Sequence, residues 1–100
     1  MMSNMDRTLL YLEAWEKFGA MAQLDMLIEE MAELTQAILK ARRDGRWVST
    51  EVVKEYVDVK ICIEQLELKI GGEGLSQLVA TTRDEKLERL DKLVNPRVQS

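Results

Sequence analysis

Two short acidic runs in this 100-residue chain carry side chains suited to holding a hard divalent cation. The first is Glu29-Glu30-Met31-Ala32-Glu33. On a helix, Glu30 and Glu33 are neighbours on one face, as are Glu29 and Glu33, with Cβ atoms ~5–6 Å apart. Like charges at that spacing destabilise an isolated helix by about a few tenths of a kcal/mol per pair. The positions a turn away from Glu30 hold Met26, Leu27 and Leu34, so no cation offsets the repulsion there. A carboxylate among apolar neighbours is either protonated or compensated by a cation. The second run is Glu55 and Asp58, again three apart, with Cys62 one turn beyond. Two helices packed antiparallel would bring these pairs together as four oxygen-donor side chains. Mg²⁺ takes oxygen ligands and keeps several waters, so it suits such a set. The plain alternative is an acidic, solvated helix face.

The elements that must position these residues are four helices, with no strand pattern between them. The first is predicted from about Met5 to Phe18, capped by Ser3 or Asn4, supplied with Leu9, Leu10, Leu12 and Trp15, and closed by Gly19. The second runs from about Ala20 to Arg43. Leu24, Leu27, Ile28, Met31, Leu34 and Ile38 recur at helical spacing along one side of it. Arg42 and Arg43 suit its C-terminus, and Asp44-Gly45 stops it. Ser49 or Thr50 caps a third helix that extends to about Ile70 and ends in Gly71-Gly72. The fourth runs from about Leu75 or Ser76 to Leu93, ahead of Asn95-Pro96, and the last four residues are predicted to fray.

The third helix carries two apolar stripes. Val52, Tyr56, Val59, Ile63, Leu66 and Ile70 form one; Val53, Val57, Ile61 and Leu68 form another well round the cylinder. A surface helix needs one buried stripe. Two stripes in a chain that buries only roughly 60–70% of its unfolded surface predict a neighbouring subunit against one of them. A central helix wrapped by the chain's own three others is the alternative.

Composition narrows the chemistry further. With 46% hydrophobic and 32% charged residues the chain reads as one globular domain over residues 1–100. A net charge of −4 argues against a nucleic-acid polymer or an anionic membrane as partner. It leaves phosphate chemistry open, because a bound metal reverses the local sign of a site. The absence of histidine excludes Ser-His-Asp and Cys-His catalysis and imidazole-based zinc or di-iron sites. The single cysteine, Cys62, excludes an intrachain disulfide and reads as a buried structural thiol. No stretch reads as a membrane span or a signal peptide, so a cytoplasmic location is expected.

Glu29-Glu30-x-x-Glu33 followed, after twenty-one residues, by Glu55-x-x-Asp58 resembles the signature of the MazG-like, all-α nucleoside triphosphate pyrophosphohydrolases. Phe18-Gly19 with Gln23 ahead of the acidic run, Glu33-Leu34 after it, Asp58-Val59, and Lys86-Leu87-Glu88-Arg89-Leu90 near the end are similar to that family's pattern, over about residues 15 to 93. The resemblance implies a four-helix, all-α subunit of the short, stand-alone or phage type, assembled as a dimer or a dimer of dimers. It implies Mg²⁺-dependent cleavage between the α- and β-phosphates of a nucleoside or deoxynucleoside triphosphate, with Mn²⁺ as a substitute ion. Glu30, Glu33, Glu55 and Asp58 would then be the metal ligands, and Glu29 would bind a further ion or orient the attacking water.

Lys86 and Arg89 are candidates to meet the outgoing pyrophosphate, although ordinary surface pairing explains them equally well. Trp15, Phe18 and Gln23 are candidates to stack on or pair with a base, with core packing the alternative for the aromatics. A dUTPase-like or phosphoribosyl-ATP pyrophosphohydrolase activity on the same scaffold is one rival. A non-enzymatic acidic helical adaptor is the other.

Overall fold

The structure, a computed structural model, describes residues 1–97; the fraying predicted for the chain's end falls largely outside them. Four helices follow one another: α1 (Asn4–Phe18), α2 (Ala20–Arg43), α3 (Thr50–Gly72) and α4 (Ser76–Val94), with no strand among the described residues. Ser3 opens α1 with a capping box. Its hydroxyl accepts the Asp6 N–H at 3.0 Å and the Asp6 carboxylate accepts the Ser3 N–H at 3.2 Å. One residue, Gly19, joins α1 to α2 at φ +88°, a region where any side chain would be strained. The Ser49 hydroxyl accepts the Val52 N–H at 3.1 Å at the start of α3.

The α3 helix ends at Gly72, within the glycine pair expected to close it, and Gly74 (φ +76°) makes the turn beyond. The turn is closed by the Leu75 N–H donating to the Ile70 carbonyl at 3.1 Å.

The chain divides into two compact units, Met1–Leu68 and Lys69–Ser100, with the boundary inside α3. In the first unit, α2 and α3 run antiparallel, as their cross-links show. Gln23 meets Gln65, Glu30 meets Asp58, and Lys40 meets Glu51 at 3.8 Å, so numbers rise on one helix as they fall on the other. The α1 helix packs on α2 and is tied to α3 by the Tyr11 hydroxyl, which donates to Glu64 Oε1 at 2.7 Å. Tyr11 is buried. Tyr11→Phe is expected to lower stability by about 1 kcal/mol, the net worth of one such bond, measured as a shift in the urea midpoint at unchanged slope.

The inward face of α2 shares Leu24, Leu27 and Leu34 with the apolar stripe that the sequence suggests, but is rotated away from the rest of it. Its buried and half-buried positions are Gln23, Leu27, Glu30, Leu34, Ala37 and Ala41, with Leu24 beside them. That is an alternating four- and three-residue spacing, the seam by which two helices pair. Ile28, Met31 and Ile38, from the predicted stripe, stay open, at 63%, 48% and 37% exposure. On α3 the inward face takes Val52, Val59 and Leu66 from the first predicted stripe, with Glu55 and Cys62 on its flank, and Val59 alone among them is fully buried. Tyr11, Ala37, Ala41 and Val59 make up the fully buried core.

In the second unit, α4 has no buried residue, and Leu78, Val79, Thr82, Arg83, Lys86, Leu87 and Leu90 line a shallow groove along it. No helix among the described residues is long and apolar enough to cross a membrane.

Candidate metal centre and its cavity

Glu30 and Glu55 occupy seam positions, where a helix pair ordinarily places leucine or valine. The α2 helix presents Glu30 and α3 presents Glu55 and Asp58, so that one carboxylate oxygen from each lies within 4.8 Å of the others. Glu30 Oε2 and Glu55 Oε2 are out of contact with solvent and have no hydrogen-bond partner. The Glu33 carboxyl hydrogen-bonds to both side chains, and a carboxylate oxygen shielded from water is satisfied by a shared proton or by a cation.

The electrostatics agree with the geometry. Loss of water first, then the neighbouring Glu33, Asp58 and Glu55 carboxylates, push the Glu30 carboxyl above its usual range, and no cation acts against them. Glu55 is also raised, first by loss of water and then by Glu33 and Asp58, with Lys54 giving partial relief. Burial, then Glu30 and Asp58, likewise push the Cys62 thiol up. Glu33 is exposed, outside the group of three, yet its carboxyl is close enough to raise both Glu30 and Glu55. Four clustered carboxylates and two unpaired oxygens are a donor set that fits a hard cation with oxygen preference.

A cavity of about 360 Å³ adjoins the cluster and shares Glu30 and Asp58 with it. Phe18, Ala22, Met26, Ile61 and Cys62 give it apolar walls, and Gln23 and Gln65 line it together. Gln23 Nε2 donates to Gln65 Oε1 at 2.6 Å.

The structure therefore brings Glu30, Glu55 and Asp58 into one group, sets Glu33 beside them, and puts Gln23 in the adjoining cavity. Glu29 is exposed, ~100° round the helix from Glu30. Phe18, not Trp15, is the aromatic that lines the cavity; Trp15 is half-buried on α1. Lys86 and Arg89 are exposed residues of the second unit. Gln65 was missed from sequence. Its signal was its phase: Glu55, Asp58, Cys62 and Gln65 follow one another at three-, four- and three-residue steps, one polar or reactive side chain per turn on one side of α3.

Comparison with protein-family models, with curated proteins and with solved structures gives no match for this chain.

Proposed function

We propose that this chain is a Mg²⁺-dependent nucleoside triphosphate pyrophosphohydrolase of the MazG-like kind, releasing a nucleoside monophosphate and pyrophosphate. The observation that carries the reading is the pair of solvent-shielded, unpartnered oxygens of Glu30 and Glu55 within reach of Asp58, at a helix seam beside a cavity. Folding alone would favour apolar residues there.

Glu30, Glu55 and Asp58 would hold the ion, with Glu33 completing the donor set. A bound Mg²⁺ supplies neutralisation of phosphate charge and a more acidic water. The chain's own residues do the rest. The cavity positions the nucleoside so that its α-phosphate faces the carboxylates. Glu33 is exposed and acts on both Glu30 and Glu55, as Glu29 does not, so proton acceptance from the attacking water falls to it rather than to Glu29. The water oxygen bonds to the α-phosphorus, the bond to the bridging oxygen breaks, and pyrophosphate leaves with that oxygen.

The exposed side of α2 supports an assembly. Met21, Leu24, Ile28, Met31, Thr35 and Ile38 form a second run at seam spacing. A second copy of the chain laid against it gives the dimer or dimer of dimers, and clearing or trimming a nucleotide pool is the purpose such an enzyme serves.

The test is a panel of ribo- and deoxyribonucleoside triphosphates with Mg²⁺, with products separated. Pyrophosphate and monophosphate in equal amounts are expected, and Glu33→Gln is expected to reduce their rate by about 10²-fold or more. Diphosphate or orthophosphate as first product would move the activity elsewhere. No turnover, together with no response to Mg²⁺, would leave a helical interaction module.

A further inference from the structure

We infer that Gln23 and Gln65 form a reversible base-reading couple, which makes the site accept nucleotides of either hydrogen-bonding class. The inference rests on the pyrophosphohydrolase reading and specifies the substrate range of that site.

The cavity has the character of a slot for a flat ring. An aromatic side chain, Phe18, and the aliphatic Met26 and Ile61 line it, and its volume of about 360 Å³ lies within the ~300–1,000 Å³ of small-ligand sites. It shares two carboxylates with the candidate metal centre, so a ring held there keeps its phosphates within reach of the ion. Apart from those carboxylates, the polar groups of the lining are two primary amides bonded to each other.

Each amide carries two N–H donors and an oxygen with two lone pairs. With Gln23 Nε2 donating to Gln65 Oε1, the couple still offers an acceptor on Gln23 and a donor on Gln65. A half-turn of both amide groups reverses the bond, so that Gln65 donates to Gln23, and exchanges the two remaining functions. The torsions involved are broad and roughly two-fold. The two states contain the same groups and the same internal bond, so the couple itself sets no preference between them.

The pairing edges of the bases fall into the corresponding two classes. Adenine and cytosine present an amino donor beside a ring-nitrogen acceptor; uracil and hypoxanthine present a carbonyl acceptor beside a ring N–H donor. A fixed donor–acceptor pair matches one class and leaves polar groups unpaired against the other, a mismatch that reaches ~10⁴–10⁵-fold where the site is fully enclosed and is smaller in a half-open cavity. A reversible pair matches both.

Cys62 is the chain's one cysteine, is half-buried, and lines the same cavity, so its alkylation by iodoacetamide reports occupancy. The full chain, without added metal, is treated with adenosine, cytidine, uridine and inosine in turn. All four are expected to slow alkylation, with half-effective concentrations within about tenfold of one another, a factor of ten being 1.4 kcal/mol. Gln65→Leu, and Gln65→Glu as the variant closer in shape, are each expected to raise those concentrations about tenfold for both classes, with the helical circular-dichroism spectrum retained.

Protection by one class alone would overturn the inference, because it would reveal a fixed pair. Unchanged protection in a folded Gln65 variant would overturn it too. If no nucleoside protects Cys62 while triphosphates still yield pyrophosphate, the base binds elsewhere and only this inference falls. If nucleosides protect as expected but no triphosphate is cleaved, the couple stands and the hydrolase reading falls.

Discussion

Glu55→Gln is expected to remove pyrophosphate release and, in the same protein, to raise the melting temperature measured in EDTA. The first effect follows from deleting one of the carboxylates that converge between α2 and α3. Losing even an outer partner of a metal ligand typically costs about 10–100-fold, so losing a ligand should exceed 100-fold. The second effect follows from the seam. Without an ion, Glu55 contributes a negative charge beside Glu33 and Asp58, and one of its oxygens is shielded from water with no partner. The amide introduced has nearly the same shape, carries no charge, and brings donors for the stranded Glu30 oxygen. Rate assays at saturating Mg²⁺ and melting curves in EDTA check the pair of effects. Retained activity would remove Glu55 from the ligand set. A lower metal-free melting temperature would show that the carboxylates are already at ease without an ion.

Mg²⁺ is expected to stabilise the unaltered chain strongly and more so at pH 8 than at pH 5. A ligand that binds only the folded form at 100 times its dissociation constant adds about 2.7 kcal/mol. In a domain of this size each kcal/mol moves the melting point by about 4–8 °C, so a rise of about 10–20 °C is anticipated. The pH dependence comes from Glu30 and Glu55, both raised above 4.5 in the folded chain. Between the unfolded and folded values the native state binds more protons than the unfolded one. Their contribution to metal-free stability is therefore present below about 4.5 and is lost as pH rises through the raised values. The ion has to displace the same protons, so its effect grows over the same interval. Melting curves with and without Mg²⁺ at the two pH values measure both trends. A shift that is equal at both, or smaller at pH 8, would detach these two glutamates from the binding of the ion.

Helix ends and acidic spacing were legible in the residues because both are local. Ser3, Gly19, Ser49 and the Glu30/Glu33 and Glu55/Asp58 pairs depend on neighbours within one turn, and local chemistry determines them. What lay hidden was the rotation of each helix. The apolar stripe of α2 runs Leu24, Leu27, Ile28, Met31, Leu34 and Ile38, and the helix keeps Leu24, Leu27 and Leu34 inside but turns Gln23 and Glu30 inward in place of Ile28, Met31 and Ile38. Periodicity rewards apolar residues and has no term for a carboxylate that belongs inside. For the same reason Gln65 passed as one more polar residue on α3. Gly71-Gly72 marked the end of α3 correctly, and Gly74, two residues on, supplies the positive φ of the turn.

The two runs on α2 differ by a single step: Gln23, Leu27, Glu30, Leu34, Ala37 and Ala41 on one, Leu24, Ile28, Met31, Thr35, Ile38 and Arg42 on the other. Consecutive residues stand ~100° apart, so rolling the helix about its axis by that angle exchanges them. Rolled that way, α2 would bury isoleucine and methionine against α3 and return its glutamate to water, an alternative packing that oil-and-water forces favour. The observed orientation instead buries Ala37 and Ala41, half-buries Leu27 and Leu34, and keeps Glu30 on the inward side. A helix so balanced makes the placing of its carboxylates and the exposure of its isoleucines two readings of one angle, and a change at either side is felt at the other.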